Sequence, residues 1–112
     1  MLAAALVFSL AAAQPAEPPP PPELAAAGEA WNECIQNNLE GADPELSPAR
    51  VVDAAMGACR TRQDSMLAAH RRWVEGSALS ERDKRQALRA MEQSLTRLRP
   101  QFIRFVRSMR ED

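Results

Sequence analysis

Between residues 23 and 112, apolar side chains recur every three or four positions, the spacing that places them on one face of an α-helix. No segment alternates apolar with polar residues for long enough to predict a strand. The first helix is predicted over residues 23–40, with Gly41 as its stop. Its inward face is predicted to consist of Leu24, Ala27, Trp31, Cys34, Ile35, Asn38 and Leu39.

A second helix is predicted over residues 48–75, after the turn signal Asp43-Pro44. Ser47 is a favoured N-cap and Pro48 a favoured first helical residue, and Gly76 follows the last turn. Its inward face is predicted to consist of Val52, Ala55, Met56, Cys59, Met66, His70 and Trp73.

A third helix is predicted over residues 81–110, beginning after Ser80 in a pattern that resembles a capping box. Its apolar residues follow a seven-residue repeat typical of coiled coils: Leu88, Met91, Leu95, Leu98, Phe102, Phe105 and Met109. Pro100 normally kinks or breaks a helix. Because the repeat continues in register on both sides of it, the pattern favours one continuous helix with a kink at Pro100 over two separate helices.

The predicted fold is all-α: a small antiparallel three-helix bundle over residues 23–112 with one disulfide between Cys34 and Cys59. A core in a domain of this size is marginal without further support. A bridge that closes this loop is expected to stabilise the fold by roughly 3.5 kcal/mol. The long spacing between the two cysteines does not match a redox or haem-attachment motif.

The N-terminal residues predict export. Residues 1–13 form an uncharged apolar run that ends in three alanines, as a signal peptide does, and the run is too short to span a membrane. Residues 14–22 contain six prolines and predict a disordered or semi-rigid linker. The predicted address is periplasmic or secreted, and the bias of thirteen arginines to one lysine is typical of a GC-rich bacterial genome.

Charge is distributed unequally along the chain. Residues 1–59 hold eight acids and one base, a net charge of −7, and residues 60–112 hold thirteen bases and seven acids, a net charge of +6. One interpretation is internal pairing, in which acids of the first helix meet arginines of the third. The candidates for such pairing are Glu29, Glu33, Glu40, Arg97, Arg99 and Arg104. The alternative is that the basic half also binds an anionic surface or an acidic partner.

The end of the third helix is the candidate binding surface, because it combines aromatic and basic residues as membrane-surface helices do. The predicted binding residues are Phe102, Phe105, Met109, Arg104 and Arg107. Ile103 and Val106 widen the apolar face beyond the heptad positions. If Leu46, Val51 and Val52 cover this end, it is ordinary core; otherwise it is a contact for a homodimer, a protein partner or a membrane.

No catalytic residues are predicted, because the carboxylates are scattered and no phosphate loop or activated nucleophile is evident. Two cysteines and one histidine cannot complete a structural zinc site, so no metal and no cofactor is predicted. Met66 and His70, four residues apart, leave open a haem or copper carrier. Nucleic acid is disfavoured by the secretory address and by the lack of aromatics interleaved in a basic patch.

The sequence thus predicts a small, exported, non-enzymatic envelope protein that interacts with a protein partner or an anionic membrane surface. A periplasmic small-molecule or metal and haem carrier is the alternative.

Overall fold

The computed structural model describes residues 19–111, which form four α-helices and no strand. They are α1 (Pro22–Glu40), α2 (Pro48–Ala58), α3 (Arg60–Glu75) and α4 (Glu81–Glu111). The prediction of an all-helical chain with one disulfide is confirmed. The predicted signal peptide, residues 1–13, and the first part of the predicted linker lie outside the described residues.

Local signals account for the ends of α1. Pro21 is extended, with φ −61° and ψ 153°, and Pro22 occupies the first helical position, where its missing N–H costs no hydrogen bond. The helix stops at Gly41, whose backbone N–H donates to the carbonyl of Asn37 at 3.1 Å. The proline linker therefore reaches the helix directly, one residue earlier than the sequence predicts.

The predicted second helix is two helices, interrupted at Cys59. Ser47 caps α2 as expected, accepting a hydrogen bond from the backbone N–H of Arg50 at 3.3 Å. At Cys59 the backbone leaves helical geometry, with φ −100° and ψ 13°, and α3 then begins at Arg60. Gly57, a weak helix former, comes just before the interruption, and the side chain of Cys59 is covalently fixed to Cys34. The expected three helices are therefore four.

The last helix is unbroken from Glu81 to Glu111 and contains Pro100 in its interior. Ser80 caps it, accepting a hydrogen bond from the backbone N–H of Asp83 at 3.1 Å. Pro100 has no backbone N–H, so the backbone carbonyl of Thr96, four residues earlier, lacks its helical hydrogen-bond donor. Because Thr96 and Pro100 are both exposed, water can reach that carbonyl, and the helix continues.

The four helices pack mainly in two pairs, α3 against α1 and α2 against α4, and α1 also contacts α2. α4 contacts α1 through the rings of Phe102 and Trp31, whose centroids are 6.2 Å apart. All four helices contribute to one buried cluster. Its buried members are Leu24, Trp31, Cys34, Ile35, Leu39, Val51, Val52, Ala55, Cys59, Met66, Ala69 and Val106.

The disulfide joins Cys34 in the middle of α1 to Cys59 between α2 and α3, with the two Cα atoms 5.9 Å apart. Both cysteines are buried. The side-chain amide of Asn38 donates to the carbonyl of Cys34 at 2.8 Å and approaches both sulfur atoms at 3.7 and 3.6 Å. The predicted bridge is thus confirmed and lies inside the core cluster.

The heptad prediction is wrong at the end of α4. Val106 is buried, with 2% of its surface exposed, whereas Phe105, the predicted heptad residue, is 50% exposed. A seven-residue repeat keeps facing one partner only if the helices supercoil, and an ordinary helix with 3.6 residues per turn drifts about 20° per heptad. After Phe102 the buried face therefore advances by four residues to Val106 rather than by three to Phe105.

Candidate functional site

The structure separates the five predicted binding residues into two groups. Phe102 is half-buried against Trp31 and belongs to the packing of the core. Phe105 and Met109 are 50% and 38% exposed, and Arg104 and Arg107 are exposed as well. Phe105 and Met109 are one turn apart, so they form one apolar strip along α4, which we call the aromatic edge.

A different face of the same half of α4 carries only positive charge. From Thr96 to Arg110 the helix holds five arginines and no acid. Arg97, Arg104 and Arg107 are spaced seven and three residues apart, which places them on one side of the helix, and we call them the arginine face. All three are exposed, and within residues 19–111 none of them forms a salt bridge.

The other two arginines of this segment are engaged. Arg99 lies on the side of α4 that packs against α2, and its guanidinium donates two hydrogen bonds to the carboxylate of Asp53, at 2.8 and 3.1 Å. Arg110 donates to the backbone carbonyl of Asp43 at 3.3 Å. These contacts attach α4 to α2 and to the connection after α1, and they leave the arginine face free of internal partners.

The internal pairing that the sequence suggested between α1 and α4 is wrong. Glu29, Glu33 and Glu40 are exposed, and no salt bridge joins them to the rest of the described chain. The observed ion pairs are instead Glu23 with Arg72, Glu81 with Lys84, and Asp53 with Arg99. The acidic side of α1 and the arginine face of α4 therefore both present uncompensated charge to solvent.

The connection between α1 and α2 covers only part of this end. Val51 and Val52 are buried in the same cluster as Val106, and Leu46 packs against that cluster, as the core interpretation requires. They do not cover Phe105. Beside Met109 they leave a shallow cleft of about 260 Å³, lined by Leu39, Ala42, Pro44, Val106 and Met109 among others.

The carrier alternative gains no metal site from the described residues. Met66 is buried and His70 is half-buried one turn later, and burial lowers the pKa of His70 from its ordinary value of 6.5. Across residues 19–111 no three side chains of His, Cys, Asp or Glu come close enough together to hold a metal ion.

No helix within the described part of the chain is long and apolar enough to cross a membrane.

Comparisons with protein-family models, with curated proteins and with solved structures each find no match. The function must therefore be inferred from the geometry of the arginine face and the aromatic edge. Arg97 is the residue of the arginine face that the prediction from sequence left out of the binding residues, since Arg97 was considered only as a partner for acids of α1. The seven-residue spacing between Arg97 and Arg104, about two helical turns, was the signal that both lie on one side of α4.

Proposed function

We propose that this chain is an exported accessory protein that binds an anionic lipid surface through the second half of α4 and catalyses no reaction. The observation that carries the proposal is the unpaired arginine face on the same half of α4 as the exposed ring of Phe105. A phospholipid or lipopolysaccharide surface offers phosphate groups for the arginines and an apolar layer for the ring.

The arrangement fits the way in which amphipathic helices bind membrane interfaces. The rings and thioethers of such helices enter the boundary between headgroups and acyl chains, and flanking arginines remain at the level of the phosphates. Each arginine held near an anionic leaflet contributes about 1 kcal/mol. Three arginines and one aromatic ring then give reversible binding that weakens as salt screens the charges.

The proposal includes export, which would place this contact in the cell envelope. The apolar run within residues 1–13 has the length of the apolar region of a signal peptide and ends in small residues, and cleavage after Ala13 would leave Gln14 as the first residue. The buried disulfide is typical of proteins that mature in an oxidising compartment. Mass spectrometry of the protein from its native envelope tests this part: a chain that begins at Gln14 supports export, and an intact Met1 contradicts it.

Vesicle sedimentation tests the surface itself. The full chain is mixed with vesicles of phosphatidylcholine alone or with a substantial fraction of phosphatidylglycerol, at low and high salt. We expect binding to the anionic vesicles only, and we expect Arg104→Glu with Arg107→Glu to weaken it at least about thirtyfold, since two favourable charges are lost.

A second charge-reversal variant serves as a control, because it distinguishes binding at the arginine face from a general effect of net charge. Arg82→Glu with Arg85→Glu changes the total charge by the same amount on the first turns of α4, where both side chains are exposed. The proposal requires this control to bind nearly as well as the parent chain. Equal loss for the two double variants, or no binding of the parent chain to anionic vesicles, would remove the proposed contact. Binding only to a protein in envelope extracts would replace it with a protein partner.

A further inference from the structure

A second concave site lies at the opposite end of α4, where the chain turns from α3 into α4. It is a cleft of about 550 Å³, and its walls include His70, Trp73, Val74, Ser77, Leu79 and Ala87. It exists because the core cluster takes its α4 residues from Leu95 onward. The first turns of α4 therefore lie away from the core and leave a gap beside the end of α3.

The cleft has the size and the wall chemistry of a small-molecule site. Pockets of a few hundred to a thousand Å³, mostly apolar with few polar groups, are typical of such sites. Here an indole ring, Val74, Ala87 and the 46% exposed side chain of Leu79 supply the apolar walls. The hydroxyl of Ser77 is already engaged, since it donates to the carbonyl of Val74 at 2.6 Å.

His70 is the polar group of the cleft that remains available. Its imidazole makes no hydrogen bond to any residue between 19 and 111, and it stands edge-on to the ring of Trp73, with centroids 6.2 Å apart. Burial lowers its pKa, so the ring is neutral at pH 7 and offers one N–H donor and one acceptor nitrogen.

No charged side chain lines the cleft. Lys84, on the first turns of α4, makes other contacts: its ammonium group donates to the carbonyl of Glu75 at 3.0 Å and lies 3.5 Å from the carboxylate of Glu81. A charged ligand would therefore lose its hydration in the cleft without gaining an ion pair, and that loss opposes binding.

We infer that this cleft binds a neutral, largely apolar small molecule that carries one hydrogen-bonding group directed at His70. The site is independent of the arginine face, which lies on the second half of α4. His70 and Trp73 both line the open cleft, and Trp73 also packs against the core cluster with another part of its side chain.

Three related probes test the inference on the full chain by amide and indole NMR. Naphthol has an apolar ring and one hydroxyl group, naphthalene lacks the hydroxyl, and naphthoate carries a charge. We expect saturable shifts at the Trp73 indole, Leu79 and Ala87 with naphthol. We expect affinity for naphthalene to be lower by about three- to tenfold, the effect of one hydrogen bond, and affinity for naphthoate to be lower still.

Two variants identify the site. His70→Phe keeps a ring beside Trp73 but removes the nitrogens, so naphthol and naphthalene should then bind equally. Ala87→Trp should fill the cleft and abolish binding of all three probes, whereas Ala90→Trp, on the exposed side of the same helix, should not.

Three results would overturn the inference. One is the absence of saturable shifts at the cleft with every probe. Another is an unchanged preference for naphthol over naphthalene after His70→Phe, because the imidazole would then not be the hydrogen-bonding group. This result can be obtained whether or not the Ala87 variant folds. The third is that the same resonances shift with protein concentration alone, since the cleft would then be a contact between two copies of the chain.

Discussion

The carboxylate of Asp53 accepts two hydrogen bonds from the guanidinium of Arg99, at 2.8 and 3.1 Å, across the interface between α2 and α4. This two-point geometry matches the planar fork of arginine and specifies orientation as well as proximity. Arg99 immediately precedes Pro100, so the pair fixes α4 against α2 at the point where the helix lacks a backbone donor.

The first prediction concerns the titration of Asp53. The hydrogen bond from Arg99 lowers the pKa of this carboxyl below 3.8. We expect carbon-detected NMR to show that shift, and we expect Arg99→Gln to move the pKa back toward 3.8. Arg97→Gln, two residues earlier on the arginine face, is the control and should leave the Asp53 titration unchanged.

The same shift has a consequence for stability. Because the pKa is lower in the folded chain than in the unfolded one, the ionised carboxylate contributes stability above pH 3.8, and that contribution is lost as pH falls through the folded pKa. The parent chain should therefore lose more stability than Asp53→Asn on acidification below pH 3.8. Parallel acid unfolding curves for the two proteins would contradict this assignment.

A second prediction separates the end of the core from its surface. Phe105→Asp should change the free energy of unfolding little, because the ring is half exposed, whereas Val106→Asp should cost several kcal/mol, since a charge would be placed in the buried cluster. Urea denaturation followed by circular dichroism measures both. If Phe105→Asp unfolds the domain and Val106→Asp does not, the heptad register is right and the observed register is wrong.

The third prediction concerns the disulfide. Reduction of the Cys34–Cys59 bridge should lower the free energy of unfolding by roughly 3.5 kcal/mol, a large share of the stability of a domain of this size. Urea denaturation with and without reductant measures the loss, and Cys34→Ala with Cys59→Ala should make the protein insensitive to reductant. Two free thiols in the unreduced protein would disprove the bridge.

A fourth prediction concerns the titration of His70, the only histidine of the chain. Its ring protons should titrate below pH 6.5 in the folded protein and near that value in denaturant, because burial disfavours the charged ring. Since the folded pKa is the lower one, stability from the neutral ring is present above pH 6.5 and declines as pH falls below it. His70→Gln should lack this decline. A folded-state pKa above 6.5 would show that a negative charge, not burial, dominates.

The helix ends were predictable because their signals are local. Ser47 and Ser80 cap the helices that follow them, and Gly41 and Gly76 end the helices that precede them, by contacts within four residues. The disulfide was predictable for a related reason, since helix lengths and one short connection fix how closely two cysteines can approach.

The missed features depend on contacts between helices. The interruption at Cys59 coincides with its attachment to another helix, which periodicity along the sequence does not reveal. The choice of Val106 over Phe105 depends on whether the helices supercoil. The pairing of Arg99 with Asp53, rather than with an acid of α1, depends on which side of α4 meets α2. Within the predicted binding segment, the prediction from sequence therefore grouped a residue of the core packing, Phe102, with surface residues of α4.

The separation of charge between α1 and α4 has a practical consequence for handling the protein. With a net charge of −1 and a pI near 5.9, the chain should pass through a cation exchanger at neutral pH. That expectation considers only the net charge of the whole chain. We expect the protein to be retained instead, because the resin can bind the arginine face locally. Arg104→Glu with Arg107→Glu should elute earlier from such a column, and an anion exchanger should retain the parent chain through the glutamates of α1.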